Sequence, residues 1–199
     1  LDPQGTMIVK CFIDAEAQLW VVTPRTLRCY DYYSMQLKDS VAINKNSRYF
    51  YLHKDGKIWL TGSRTLLLFD THTHQFTDLP PALAQHSVLR EAEITYIHPY
   101  GNNILLLNTS RHGMFCYNYA NNTIAHQGDE DFPFEVPEFQ ISCMFTDSQN
   151  NLWIGSTDQG YTVCYHYKER FNNDNYIRSY FNNKSVVSAS AEKNGILWI

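Results

Sequence analysis

A phrase built on a Leu-Trp or Ile-Trp pair returns through this chain at intervals of about 40 to 48 residues, and a period of that size marks architectures that stack one small unit many times. The full copies run FIDAEAQLWVVTPRTLRCYDY from Phe12, YLHKDGKIWLTGSRTLLLFDT from Tyr51, YIHPYGNNILLLNTSRHGMFCYNY from Tyr96 and FTDSQNNLWIGSTDQGYTVCYHY from Phe145. A further copy opens at Ser185 and runs to Ile199. Each has an alternating apolar run, then the Trp (Trp20, Trp59, Trp153 and Trp198, with Leu105 expected in its place in the third copy), then an aromatic at Tyr30, Phe69, Tyr117 or Tyr165. Polar turn residues such as Lys54-Asp55-Gly56-Lys57 or Asp147-Ser148-Gln149-Asn150-Asn151 separate run from Trp, as between two short antiparallel strands.

Tight loops such as Thr157–Gly160 separate the second strand from a third, and runs at Phe76 or around Tyr176 to Phe181 supply a fourth. Four short antiparallel strands in about 45 residues make one blade of a β-propeller, whose Trp and aliphatic face is buried only when the next blade stacks on it. The expectation is an all-β chain of four-stranded blades at about 6–40, 47–80, 93–128 and 140–182, with the start of a fifth at 185–199. The 15% aromatic content fits pleated, half-buried strands. A β-sandwich also spaces its strands evenly, but it gives no reason for the same Trp phrase to return. A ring of seven blades needs roughly 315 residues at this period, so the 199 residues are expected to form an incomplete propeller of about four and a half blades. Its open faces and strand edges invite a homodimer or edge-mediated self-association.

Net charge is −4 and charged residues are 18% of the chain, so the basic footprint of a phosphate-binding surface is missing and no nucleic-acid partner is expected. No apolar run approaches the roughly 18 residues of a membrane span, and the N-terminus lacks a secretory pattern. The five cysteines contain no CxxC pair. Cys29, Cys116 and Cys164 each precede the later aromatic, where the second copy has Leu68, so they are expected at one repeated, buried strand position as free thiols, a whole blade apart and out of disulfide range.

Within the fourth copy, Asp147-Ser148-Gln149-Asn150-Asn151-Leu152-Trp153-Ile154-Gly155-Ser156, followed by Gly160 and Tyr165, resembles the regulator-propeller repeat of Bacteroidetes hybrid two-component sensors, roughly D-x-x-G-x-LWIGT-x-x-GL-x-x-YD. Copies one and two keep Leu19-Trp20 with Tyr30-Asp31 and Ile58-Trp59 with Phe69-Asp70, but carry Val22-Thr23 and Thr61-Gly62 in place of Gly-Thr. The resemblance implies the periplasmic sensor part of a membrane-anchored regulator that recognises an oligosaccharide and signals to a histidine kinase encoded outside this segment, which drives transcription. On that reading the segment itself is no enzyme and carries no catalytic residue, metal or cofactor. The alternatives are a propeller glycoside hydrolase or polysaccharide lyase, and a protein-interaction scaffold.

Loops joining second to third strands emerge on the same end of a propeller as the blade-to-blade links at 38–46, 77–92, 126–139 and 172–184, and that end is where a ligand is expected. Its short loops carry Arg25, Arg64, Arg111 with His112, and Asp158 with Gln159 at comparable places. Arginine forks suit carboxylate or sulfate groups, so these residues form the candidate site for an anionic sugar; the plainer reading makes them solvated turn residues. Tyr32, Tyr33 and Tyr51 are expected to pack between blades rather than stack on sugars. His72-Thr73-His74, with no acid at ligand spacing, is expected to be a solvated turn rather than a metal site, and Asp129-Glu130-Asp131 a solvated charge run rather than a glycosidase pair.

Overall fold

The computed structural model describes residues 7–44, 47–62, 64–134, 136, 140–165, 190–191 and 197–198. Two units separate at Cys164: 1–164 and 165–199. The first contains three complete four-stranded antiparallel sheets and a three-stranded one, each wound in simple chain order. Blade one is β1 (Lys10–Ile13), β2 (Gln18–Val22), β3 (Thr26–Asp31) and β4 (Leu37–Ala42). Blade two is β5 (Tyr49–Leu52), β6 (Lys57–Gly62), β7 (Thr65–Asp70) and β8 (Gln75–Thr77). Two short helices follow, α1 (Pro81–Gln85) and α2 (Ser87–Glu91). Blade three is β9 (Ile94–Tyr100), β10 (Ile104–Thr109), β11 (Met114–Asn118) and β12 (Thr123–His126). Blade four shows β13 (Ile141–Thr146), β14 (Leu152–Ser156) and β15 (Tyr161–Cys164). In the second unit β16 (Ser190–Ala191) pairs antiparallel with β17 (Leu197–Trp198). The fourth strand expected near Tyr176 to Phe181, the link at 172–184 and the opening of the fifth copy lie outside the described residues.

These sheets are propeller blades. The first strands of neighbouring blades lie against one another, β5 on β9 and β9 on β13, and one apolar cluster fills each blade-to-blade interface. Trp20, Cys29, Ile58, Leu60 and Phe69 join blades one and two. Trp59, Leu68, Leu105, Leu107 and Tyr117 join two and three. Leu106, Cys116, Met144, Leu152 and Ile154 join three and four. Side chains alternate faces along each strand, so Trp20 and Trp59 point toward the following blade, while Ile58 and Leu60, on either side of Trp59, point back toward blade one.

Cross-strand register corrects the alignment of the third copy. Trp20 stands opposite Phe12 and Cys29, and Trp59 opposite Tyr51 and Leu68. The residue with that pairing in blade three is Leu106, opposite His98 and Cys116, whereas Leu105 faces Tyr117 as Leu19 faces Tyr30. Leu106, not Leu105, therefore occupies the Trp position; a one-residue slip reverses the face of every side chain. The same logic moves Cys164, which pairs with Leu152 and so holds the register of Tyr30, Phe69 and Tyr117 rather than that of Cys29 and Cys116. All five cysteines are free; Cys29, Cys116 and Cys164 are buried, Cys11 and Cys143 exposed. Burial pushes the Cys29 and Cys116 thiols up to about 11.

A shared device closes the first hairpins of blades one and four. Asp14 accepts from the backbone N–H of Glu16 and Gln18 and from the Trp20 indole at 2.8 Å; Asp147 does the same for Gln149, Asn151 and Trp153. Six residues before the Trp position, blade two has His53 and blade three Tyr100, and both reach the next blade instead. His53 Nε2 lies 3.1 Å from the Tyr119 hydroxyl, and Tyr100 donates to the Asn150 carbonyl at 2.9 Å. The aromatic-Asp pair closes the later turns: Asp31 accepts from Tyr33 and Ser34 N–H, Asp70 from His72 and Thr73, and Asn118 from Ala120. The Ser34 backbone and side-chain bonds, then Lys38, hold the Asp31 carboxyl down to about 2.

Three further expectations change. The link from Thr77 to Ala92 is not plain loop: Pro81 starts α1, and Leu83 and Leu89 are buried with Trp59 and Phe115, covering an interface that the three-residue β8 leaves short. Tyr51 packs between blades as expected, but Tyr33 is 81% exposed and Tyr32 44%, with their rings edge-on to each other at 5.4 Å; they sit in the β3–β4 turn, which has no neighbouring blade face. His72 and His74 do lie in a turn, yet blade one supplies acids, Glu16 at 2.8 Å and Asp39 at 2.7 Å.

Candidate ligand-binding site

The β10–β11 turn, Ser110-Arg111-His112-Gly113, forms one wall of a cavity of about 1090 Å³. His86 and Val88 from the helical link, Phe115 and His126 from the outer strands, and Gln140 with Ile141 at the entry to blade four complete it. The cavity thus opens at the end where second-to-third turns and blade links emerge.

Local bonding fixes this wall. Thr109 Oγ1 donates to the Gly113 carbonyl and accepts from His112 N–H, both at 2.9 Å. Gly113 has φ +67, and a Cβ there would come within 2.8 Å of Gln127 Oε1, an atom that accepts from Met114 N–H while its amide nitrogen donates to the Val136 carbonyl. Only glycine meets both the left-handed backbone and this approach. His86 caps α2, its Nδ1 accepting from Leu89 N–H at 3.3 Å, and its ring meets Phe115 edge-on at 5.2 Å. Phe115 packs on His126 at 4.6 Å, and His126 Nε2 donates to the His112 carbonyl at 2.6 Å. Burial first, then His126, lowers the His86 pKa.

Of the sequence candidates, Arg111 and His112 line this cavity and the others do not. Arg64, at φ +51, lies 3.7 Å from Glu91, both largely exposed. Arg25 is exposed in the β2–β3 turn, with its backbone bonded to Thr23 and Ile43. Asp158 and Gln159 bond Ser156 within their own turn. His86, His126 and Gln140 were not singled out by the repeat, because they stand in links and outer strands that the repeat does not constrain. Among the described residues there is no group of three His, Cys, Asp or Glu suited to a metal, and no helix long and apolar enough to cross a membrane.

A second cavity of about 440 Å³ lies at the opposite end, lined by His53, Asp55, Lys57, Trp59, Tyr117 and Tyr119 among others.

The blades and their Trp-centred hairpins define a β-propeller. Residues 140–158, the hairpin around Trp153, match the family model described as two component regulator propeller. Solved structures agree on the fold. The chain is similar to the extracellular domain of a protein named as a hybrid two component system from B. thetaiotaomicron, with 21% identity over 80% of this chain and 20% of that one, at a TM-score of 0.58. It is also similar to one named as a one component system from the same organism, with 18% identity over 82% and 22%, TM-score 0.58. The WD40 β-propeller domain of Doa1 matches at 12% identity over 82% and 52%, TM-score 0.61. The chain spans about a fifth of the two B. thetaiotaomicron structures. No curated protein sequence matches it.

Proposed function

We propose that this chain is part of the extracytoplasmic, periplasmic sensor of a membrane-anchored two-component regulator, and that it receives a carbohydrate ligand in the cavity at Ser110–Gly113. The observation that carries the reading is the coincidence of a regulator-propeller repeat with a large cavity built on turns and links over rigid blades, which is where recognition residues concentrate. The half-buried rings of His86 and His126 beside the groups of Ser110, Gln127 and Thr95 suit a sugar's apolar face and hydroxyls. The segment binds and reports; phosphoryl transfer by a histidine kinase belongs to parts of the protein outside it. A thermal-shift screen of the chain against neutral and acidic oligosaccharides tests this. At least one is expected to raise Tm in proportion to the logarithm of its concentration; no response to any class would contradict the reading.

Self-association accompanies it. Blade four exposes Phe145 and Tyr161 at 62% and 70% beside Trp153, an apolar face of the kind that seeks a partner. Light scattering is expected to show mass rising with concentration; a strictly monomeric chain would contradict this part.

A further inference from the structure

Among the described residues the cavity's charge is one-sided: Arg111, His86, His112 and His126 line it, and no described Asp or Glu does. Of the described carboxylates on the adjoining links, Glu91 is engaged with Arg64, Glu93 with Arg48 at 3.5 Å, and Asp129 with the His126 backbone N–H at 2.6 Å. Arg111 makes no ion pair among the described residues. His86 accepts at Nδ1, so its proton sits on Nε2, and that N–H meets no acceptor among the described residues. His126 has given its Nε2–H to the His112 carbonyl. Unengaged donors attract an anion, since a charge-assisted bond is about twice as strong as a neutral one.

We propose that the ligand carries an anionic group, a carboxylate or sulfate on a sugar, bound by the Arg111 guanidinium with the His86 Nε2–H. This rests on the reading of the cavity as the sensor's ligand site, and it replaces a ring of Arg25, Arg64 and Arg111 by one arginine and a histidine. The guanidinium fork matches either oxyanion, and the half-buried ring of His126 is left for the sugar.

Titration calorimetry on the whole chain tests it, with an oligogalacturonide, a 6-sulfated galactose oligosaccharide and an uncharged galacto-oligosaccharide of equal length. The wild type is expected to bind one charged probe at least about tenfold more tightly than the neutral one; which charged probe wins separates carboxylate from sulfate. Arg111→Gln is expected to abolish that preference, His86→Phe to reduce it while keeping a ring on Phe115, and the exposed-turn variant Arg25→Gln to leave it intact. Equal affinity for charged and neutral probes, or a preference that survives Arg111→Gln, overturns the anionic assignment while the sugar site stands. Binding of none of the three overturns both.

Discussion

The indole N–H of Trp20 donates to the Asp14 carboxylate at 2.8 Å, and Trp20 is completely buried. A buried donor left without its acceptor suffers the desolvation penalty of the group, so this bond and the two backbone N–H bonds to Asp14 tie the first hairpin to the interface between blades one and two. Asp14→Ala is expected to destabilise the chain by about 1–3 kcal/mol, and Asp14→Asn by less, because an amide oxygen still accepts. Urea unfolding followed by tryptophan fluorescence checks both.

Trp153 makes the same bond to Asp147 at 2.9 Å but is 37% exposed. Removing a buried Trp leaves a cavity and forfeits apolar burial, about 3–5 kcal/mol; a partly exposed ring forfeits less. Trp20→Ala is expected to lower the urea midpoint severely, and Trp153→Ala clearly less. Equal losses would show that blade four's outward face is covered in solution.

His98, half-buried on the first strand of blade three, bonds Thr146 of the next blade at 2.9 Å. Burial, with Lys10 adding to it, holds its pKa down to about 4. The folded value is lower than the unfolded one near 6.5. Its contribution is therefore complete above about pH 6.5 and is lost as pH falls toward 4, because the unfolded chain takes up the proton first. Discounted for partial solvent access, the loss is roughly 2 kcal/mol. Denaturant midpoints across that window are expected to fall less steeply in His98→Gln than in the wild type.

Gly113 combines a left-handed backbone with a Cβ position already filled by Gln127. Gly113→Ala is expected to destabilise by about 1 kcal/mol or more from the backbone alone, and to displace Gln127 and the Arg111 turn. Its signature is lost ligand affinity at a temperature where circular dichroism still shows a folded chain.

The repeat made the blades legible because the Trp phrase encodes two physical facts at once: alternation of faces along a strand, and a hairpin of fixed length between Asp and Trp. Where the Trp is replaced, the phrase loses its anchor. His98-Pro99-Tyr100 resembles Tyr51-Leu52-His53 only once Leu106 is known to face blade four. The candidate site was half legible. Arg111 and His112 stand in a turn that the repeat locates, whereas His86 belongs to a helical link and His126 to an outer strand, and the Trp phrase reaches neither. Arg64 shared the expected position with Arg111, but Glu91 on the end of α2 engages it, a contact between segments that spacing does not encode.

Amide chemical-shift mapping of the chain, titrated with the oligosaccharide that raises its Tm, tests most directly whether a ligand enters at the β10–β11 turn. Shifts concentrated at Ser110–Gly113, Phe115 and Gln127 are predicted. Shifts confined to the opposite end, around His53, Asp55 and Tyr119, would contradict it.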